Sequence, residues 1–345
     1  MYLFSMSMHW DWDVSIVEFF NRLSESRFFE LLFQGISQFG TETVFIVLLA
    51  ITYYGISKKL AKDVAFPAFY AMCFGNIFKC FFNRFRPFQQ YPDRVTIRDK
   101  SILATDTKGD YILVHGEYGD FYASSSSSFP SGHSFSSSAV YTSYAYNIKK
   151  TWAWIVAEVV TILVMISRMA LGAHFFTDVL AGFIIGSAIV ILYNYMLTKF
   201  KNKTLIHIIT LSIIGILTFL SPLYSDISRD LFSTFGMVLG FYIGSILEEK
   251  YVNFEDTKCL WKAVIRVIVG IGIAYALKVL LKMTYSWAFD DASLARNICD
   301  FLRYAIMLFT VTFLYPMLIK KCKFLNDEKT NSEKEMEIEE AEWEL

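Results

Sequence analysis

Phe129-Pro130-Ser131-Gly132-His133-Ser134 follows five consecutive serines, Ser124 to Ser128, and runs into an apolar stretch from Phe135 onward. Proline in or just before a first turn, a serine able to cap, and a glycine that leaves backbone N–H groups uncovered together mark a helix start. Such a terminus suits an anion, and His133 at its mouth can give or take a proton near neutral pH. Alone, the hexapeptide is equally the start of an ordinary helix.

Two further stretches lie on either side of it. Upstream stands Lys79-Cys80-Phe81-Phe82-Asn83-Arg84-Phe85-Arg86-Pro87, and downstream stands Ser167-Arg168-Met169-Ala170-Leu171-Gly172-Ala173-His174-Phe175-Phe176-Thr177-Asp178. Each sets cations or a histidine–carboxylate pair at the edge of a strongly apolar segment, where an unpaired charge is expensive and points to a site. Together the three resemble the type 2 phosphatidic acid phosphatase (PAP2) superfamily, whose motifs read K-x6-R-P, P-S-G-H and S-R-x5-H-x3-D. The match is complete at every defining position from Lys79 to Asp178, extends loosely to the flanking helices, and leaves the last third of the chain unexplained.

The chain of 345 residues is 54% hydrophobic, with a mean hydropathy of +0.40, far more apolar than a soluble protein of this size needs. The predicted fold is all-α: a polytopic transmembrane helical bundle with a PAP2-like core and extra C-terminal transmembrane helices. A net charge of −1, with charges confined to short loops and an acidic tail, argues against nucleic-acid binding. The five cysteines, Cys73, Cys80, Cys259, Cys299 and Cys322, show no C-x-x-C or metal-ligand spacing and read as small buried residues. No basic stretch precedes an apolar run at the start, so no cleavable signal peptide is expected.

Residues 1–40 mix apolar and charged positions too closely to span, and read as two interfacial amphipathic helices with Trp10 and Trp12 at headgroup depth. Nine spans are expected at 41–57, 64–82, 135–148, 152–170, 175–197, 205–220, 231–247, 264–281 and 298–319, the first and third being short. Residues 41–200 then form the catalytic core, 201–322 the additional membrane helices, and 323–345 an acidic cytoplasmic tail with nine carboxylates and two lysines in 327–345. Lysines follow every odd-numbered span: Lys58, Lys59 and Lys62; Lys149 and Lys150; Lys199, Lys201 and Lys203; Lys250, Lys258 and Lys262; Lys320, Lys321 and Lys323. The positive-inside rule puts these in the cytoplasm and all three motifs on the opposite face. The 88–129 segment, with Asp106, Lys108, Asp110, Glu117 and Asp120, reads as an extracytoplasmic lid or as a solvated connector ending in a low-complexity serine linker.

Lys79 and Arg86, seven residues apart, are expected on one face of one helix that Pro87 stops, the lysine as a point charge and the arginine as a planar fork for phosphate oxygens. Arg168 closes the fourth span, and Gly172 permits a tight turn. His174 and Asp178 stand at i and i+4, so the carboxylate is expected to accept a hydrogen bond from the imidazole and fix its tautomer. A metal site is the rival reading of that pair, weakened by the surrounding cations. The remaining histidines, His9, His115 and His207, are given no role beyond being satisfied in the structure.

The resemblance implies that His174 attacks phosphorus and that His133 protonates the leaving oxygen and later activates water. Lys79, Arg86, Ser131, the Gly132 N–H and Arg168 would hold the phosphoryl oxygens, with Asp178 supporting His174 and with no metal or other cofactor. A metal-independent phosphatase of a membrane lipid is therefore expected: phosphatidic acid, phosphatidylglycerol phosphate or a polyprenyl diphosphate. Its membrane is expected to be that of a bacterial cell, and a homodimer is left open. A soluble sugar phosphate, as in the glucose-6-phosphatase branch, is the alternative substrate. A lipid transporter or scaffold with a silent site is the non-enzymatic one; haloperoxidase activity ranks low because those relatives are soluble.

Overall fold

A computed structural model describes residues 4–5, 10–105, 110–116, 119–223, 228–289, 293–322 and 324–325. His9, Asp106, Lys108, Glu117, Lys323 and the acidic tail 327–345 lie outside these. Thirteen helices follow one another: α1 (Asp11–Leu23), α2 (Arg27–Ser37), α3 (Glu42–Ile51), α4 (Lys58–Phe81), α5 (Pro87–Gln90), α6 (Gly132–Ile148), α7 (Thr151–Ala170), α8 (Phe176–Lys199), α9 (Lys203–Leu220), α10 (Arg229–Leu247), α11 (Leu260–Tyr285), α12 (Leu294–Phe309) and α13 (Tyr315–Lys321). Strands are minor: β1 (Phe4–Ser5) pairs in parallel with β2 (Phe82–Asn83), and β3 (Leu113–Gly116) with β4 (Gly119–Tyr122) as an antiparallel hairpin.

Among the described residues, seven helical stretches are long and apolar enough to cross a membrane, or eight if the bent pair Arg27–Gly40 and Glu42–Ile56 counts as one. The expected first and third spans do not qualify singly, but both run the depth of the bundle. Helix α6 begins beside Lys79, near the end of α4, where a Cβ on Gly132 would meet Lys79 Nζ at 2.8 Å. It ends where Asn147 Nδ2 donates to the Asp63 carbonyl near the start of α4. Its 17 residues cover about 25 Å. The short serine-rich sequence serves because α6 is interior: Ser137, Ser138 and Ser143 are buried and bond to carbonyls one turn back, at Ser134, Phe135 and Ala139. Helix α3 likewise runs from Gly40, packed on His133, to a π-helical turn at Thr52–Ile56.

Helix α7 shows why the outer helices are apolar all round. Ala153, Ala157, Thr161 and Val164 face the interior, whereas Ile155, Val159, Ile162 and Leu163 are exposed. Such a face suits lipid. The C-terminal helices share the core of the first two-thirds: Phe45, Phe69 and Ile77 cluster with Phe241, Met307 and Tyr315. Tyr53 Oη donates to the Thr312 carbonyl at 3.0 Å, and Tyr54 Oη to that of Val311, both in a second π-helical turn at Thr310–Leu314. Irregular turns of this kind leave carbonyls available to side chains.

The lysine-bearing turns and the three motifs fall at opposite ends of this bundle. At the lysine end, Lys58 and Lys62 pair with Glu248, and Lys320 donates to the Val252 carbonyl. At the motif end α1 and α2 pack on α7 and the following turn, Asn21 Nδ2 bonding to the Ala170 and Thr96 carbonyls. The two expected N-terminal helices are present, and Trp10 and Trp12 are exposed and stacked, 5.7 Å between centroids.

The 88–129 segment departs from the expected linker. It folds over the motif end through α5, a 3-10 turn at Lys100–Ile102 and the β3–β4 hairpin. Its serine run is held: Ser127 Oγ donates to the Phe82 carbonyl (2.6 Å) and receives the Arg84 N–H (3.1 Å). Ser127 and Ser128 are buried.

Candidate active site

Helix α4 ends at Phe81, where Phe82 turns extended (φ −105°, ψ 112°). Arg86 therefore does not share a helix face with Lys79; it stands five residues beyond the helix as the residue before α5, with Pro87 the first residue of α5 rather than a stop for α4. The reason is local: a residue preceding proline is pushed out of the α region, and Arg86 is extended (φ −83°, ψ 161°).

The detour carries Arg86 to His174. Arg86 Nη1 lies 3.1 Å from His174 Nε2 and 2.9 Å from the Ala173 carbonyl. Its other donors are fixed by the serine run: Nε to Ser124 Oγ (2.7 Å) and Nη2 to Ser126 Oγ (2.9 Å). Gly172 makes the turn before His174 with φ +71°, a conformation few other residues adopt without strain.

His174 precedes α8 instead of opening it, and Asp178 does not hydrogen-bond to its ring: Nδ1 and Asp178 Oδ2 are 3.8 Å apart. The Nδ1 partner is the Ser128 carbonyl, at 2.8 Å. Asp178 is engaged elsewhere, its Oδ2 accepting the Phe175 N–H (2.9 Å) and the Ser128 hydroxyl (2.5 Å), its Oδ1 the Arg84 guanidinium (2.6 Å). Asp178 thus caps α8 and holds Ser128, which in turn fixes the imidazole. With Nδ1–H donating, Nε2 keeps its lone pair toward the cations. Burial first, then Arg86, Arg168 and Lys79, pushes the His174 pKa well below its ordinary 6.5, which keeps the ring neutral.

Arg168, 1% exposed, spends Nη1 on Ser37 Oγ and Asp99 Oδ2, each at 2.7 Å. Its Nε and Nη2 are buried without a hydrogen-bond partner. Burial alone would raise the pKa of Asp99, but the Arg168 charge and hydrogen bonds from Ser101 and Arg168 overcome it and hold the carboxyl at about 2. Lys79 has no carboxylate within ion-pair distance among the described residues. It leans on Gly132, whose missing Cβ leaves that room. Lys79, Gly132 and His133 line a cavity of about 300 Å³ together with Glu42, Asn76 and Asp230. Ser131 occupies the N-cap of α6 as expected, yet its side chain caps nothing. Its own N–H donates to the Asp178 carbonyl at 3.1 Å, which ties the start of α6 to that of α8.

Three supports were not expected. Arg84 lies between Asp178 and Asp13 (2.6 and 3.1 Å) and over the Phe175 ring at 4.2 Å. Asp13, fully buried on α1, also accepts from the Thr177 hydroxyl (2.6 Å). Ser128 joins His174 to Asp178. Asp13 was legible as one of two polar members, with Asn21, of a buried helical stripe that includes Val14 and Val17. Of the other histidines, His207 bonds to Tyr70 and Tyr193 (2.9 and 3.1 Å), and His115 pairs with Asp120. Among the described residues no three His, Cys, Asp or Glu side chains gather in metal-ligating reach; the groups around His174 are cations, which suit an anion.

Comparison with known proteins agrees with this arrangement. The PAP2 superfamily model matches residues 60–202, and the one described as PAP2 superfamily phosphatase, transmembrane extension, matches residues 232–328. Phosphatidylglycerophosphatase B of Bacillus subtilis (strain 168) is 36% identical over 102 residues, which cover 26% of this chain and 50% of that protein. The chain spans about half the length of that curated relative. No solved structure matches. The second match accounts for the last third, which the three motifs alone left unexplained. An integral membrane protein with three motifs gathered at one end and this extension behind them, the chain belongs to the PAP2 superfamily.

Proposed function

We propose that the protein is a metal-independent phosphatase that hydrolyses a phosphate monoester or diphosphate of a membrane lipid at the extracytoplasmic face. The observation that carries this reading is His174: Nδ1 is committed to the Ser128 carbonyl, Nε2 faces Arg86, and Arg168 nearby has two buried N–H groups unspent. Those donors suit the oxygens of a phosphoryl group, and a phosphoryl oxygen accepting from Arg86 would release Nε2 for attack. Nε2 then forms a bond to phosphorus as the bond to the leaving oxygen breaks, and His133 gives that oxygen its proton. In the second half His133 takes a proton from water, the water oxygen bonds to phosphorus, and the phosphorus–Nε2 bond breaks to free phosphate and neutral His174.

The lipid and the sidedness rest on three supports: the curated relative's printed activity, a site at the end of a membrane bundle, and lysines gathered at the other end. The test is release of phosphate by purified protein in detergent, with excess chelator, from phosphatidylglycerol phosphate, phosphatidic acid, farnesyl diphosphate and glucose 6-phosphate. Lipid substrates should lead the panel, vanadate should inhibit, and rapid quenching should trap labelled phosphate on His174. Activity that vanishes in chelator and returns with magnesium would overturn the mechanism. A preference for glucose 6-phosphate would overturn the substrate.

A further inference from the structure

Beside the site lies a larger chamber of about 1110 Å³, walled on one side by Ser124, Ser125 and Ser126 and on the other by the C-terminal extension. It borders the site twice. Ser124 and Ser126 are the residues that hold Arg86, and Glu42 and Asp230 line both this chamber and the smaller cavity containing Lys79 and His133. The chamber therefore adjoins the cavity of Lys79 and His133, on the side where the rest of a bound head group would lie.

The extension supplies the charge there. Lys278 and Lys282 stand one turn apart on α11, and Arg229 and Arg303 come from α10 and α12. Four cations thus meet two carboxylates on the walls. Asp300, fully buried behind, takes Arg229 at 2.7 Å and Arg303 at 2.9 Å. Arg303, 6% exposed, also keeps a buried Nε without a hydrogen-bond partner. Neither Lys278 nor Lys282 has a carboxylate within ion-pair distance among the described residues. Glu42 feels both Lys278 and Lys79, which places it as a divider between two cationic regions.

We propose that this chamber is a subsite for a second anion, so that the substrate is a lipid whose head group carries two phosphates, the terminal one cleaved and the inner one held by Lys278, Lys282 and Arg303. The inference deepens the phosphatase reading and rests on it. A phosphatidic acid offers one phosphate only and leaves the chamber unused. A diphosphate and a phosphatidylglycerol phosphate both offer two, at different spacings.

The experiment has a kinetic arm and a binding arm, both with the full chain in detergent. In the kinetic arm, Lys278→Gln/Lys282→Gln is compared with wild type on farnesyl diphosphate, phosphatidylglycerol phosphate, phosphatidic acid and p-nitrophenyl phosphate. The double variant should lose about tenfold to a hundredfold in kcat/KM on one or both two-phosphate lipids, in line with a lost pair of charge-assisted contacts. It should change less than about twofold on the other two substrates, and the lipid that suffers more identifies the spacing. Equal losses on all four substrates, or none, would overturn the proposal. In the binding arm, calorimetry compares methylenediphosphonate and propane-1,3-diyl bisphosphate with inorganic phosphate. At least one should bind wild type about tenfold tighter than phosphate and the double variant no tighter. Wild type that does not distinguish them refutes the subsite. Preserved discrimination in a protein that hydrolyses nothing refutes the phosphatase reading and leaves the two-anion subsite standing.

Discussion

The two ends of the bundle both bury cations, and they treat them oppositely. At the lysine end, Glu248, fully buried, accepts from Lys62 at 2.8 Å and Lys58 at 3.2 Å. Lys58 also reaches Asn253 Oδ1 (2.6 Å) and the Phe254 carbonyl (2.7 Å), and Lys62 reaches Glu249 (3.0 Å). The charges of this buried network are answered by the protein itself. At the motif end, Arg84 is answered by Asp13 and Asp178. Lys79 is not paired among the described residues, and Arg168 keeps two donors in reserve. A buried donor left unmade costs about 1–3 kcal/mol, a cost at this open end that the phosphate of the proposed substrate would relieve. Burial of charge alone does not mark a site, since Glu248 is as deeply buried as Arg168 and is fully paired.

The largest effect tests the open end directly. His174→Ala should lower kcat on the order of 10⁶-fold for every leaving group, because the covalent step is gone. A residual rate within about a hundredfold of wild type would show that another group attacks. The pH profile sharpens the point. Protonation removes the Nε2 lone pair, and the folded-state pKa of His174 lies below 6.5, so the acid limb of kcat/KM should fall below pH 6.5, while His133, which must carry a proton to give it away, adds an alkaline limb that His133→Ala should remove. An acid limb above pH 7 contradicts the cationic surroundings.

Next comes Lys79→Met, which removes a charge that has no partner to lose. It should cut kcat/KM by about 10²–10³ while the melting temperature holds or rises. A lowered melting temperature would mean that Lys79 belongs with the closed networks. His133→Ala should then separate leaving groups: alkyl phosphates should suffer about 10²–10⁴-fold, and p-nitrophenyl phosphate, whose leaving oxygen needs little protonation, much less. Equal losses on both would deny His133 its acid role. The smallest effect on activity belongs to the closed end. Glu248→Gln should cost about 3–5 kcal/mol of stability, by leaving buried lysines unanswered, yet keep kcat/KM within about twofold for the folded fraction.

The three motifs, the all-helical membrane architecture and the gathering of lysines away from the motifs were legible because each is written in residue types at fixed spacing. What escaped was nonlocal. Composition makes Ser124–Ser128 a linker, yet Arg86, the Phe82 carbonyl, Asp178 and His174 arrive from elsewhere and give each of four serines a partner. The i, i+4 spacing of His174 and Asp178 suggested a direct hydrogen bond, but the helix begins only at Phe176 and Ser128 reaches His174 first. Likewise the seven-residue interval from Lys79 to Arg86 implied one helix face, while the chain leaves the helix at Phe82. Periodicity describes residues inside an element, and Arg86 and His174 stand just outside one.

The bonds from Tyr53 and Tyr54 to the carbonyls of Thr312 and Val311 bear on how the protein comes into being. A ribosome delivers the first two-thirds of the chain, motifs included, long before the helix that satisfies those hydroxyls. Until Thr310–Leu314 arrives, the Thr52–Ile56 turn has two hydroxyls without these partners. The packing around the Thr52–Ile56 turn is therefore complete only once Thr310–Leu314 is in place. The two matched segments, 60–202 and 232–328, thus share one core that neither closes alone.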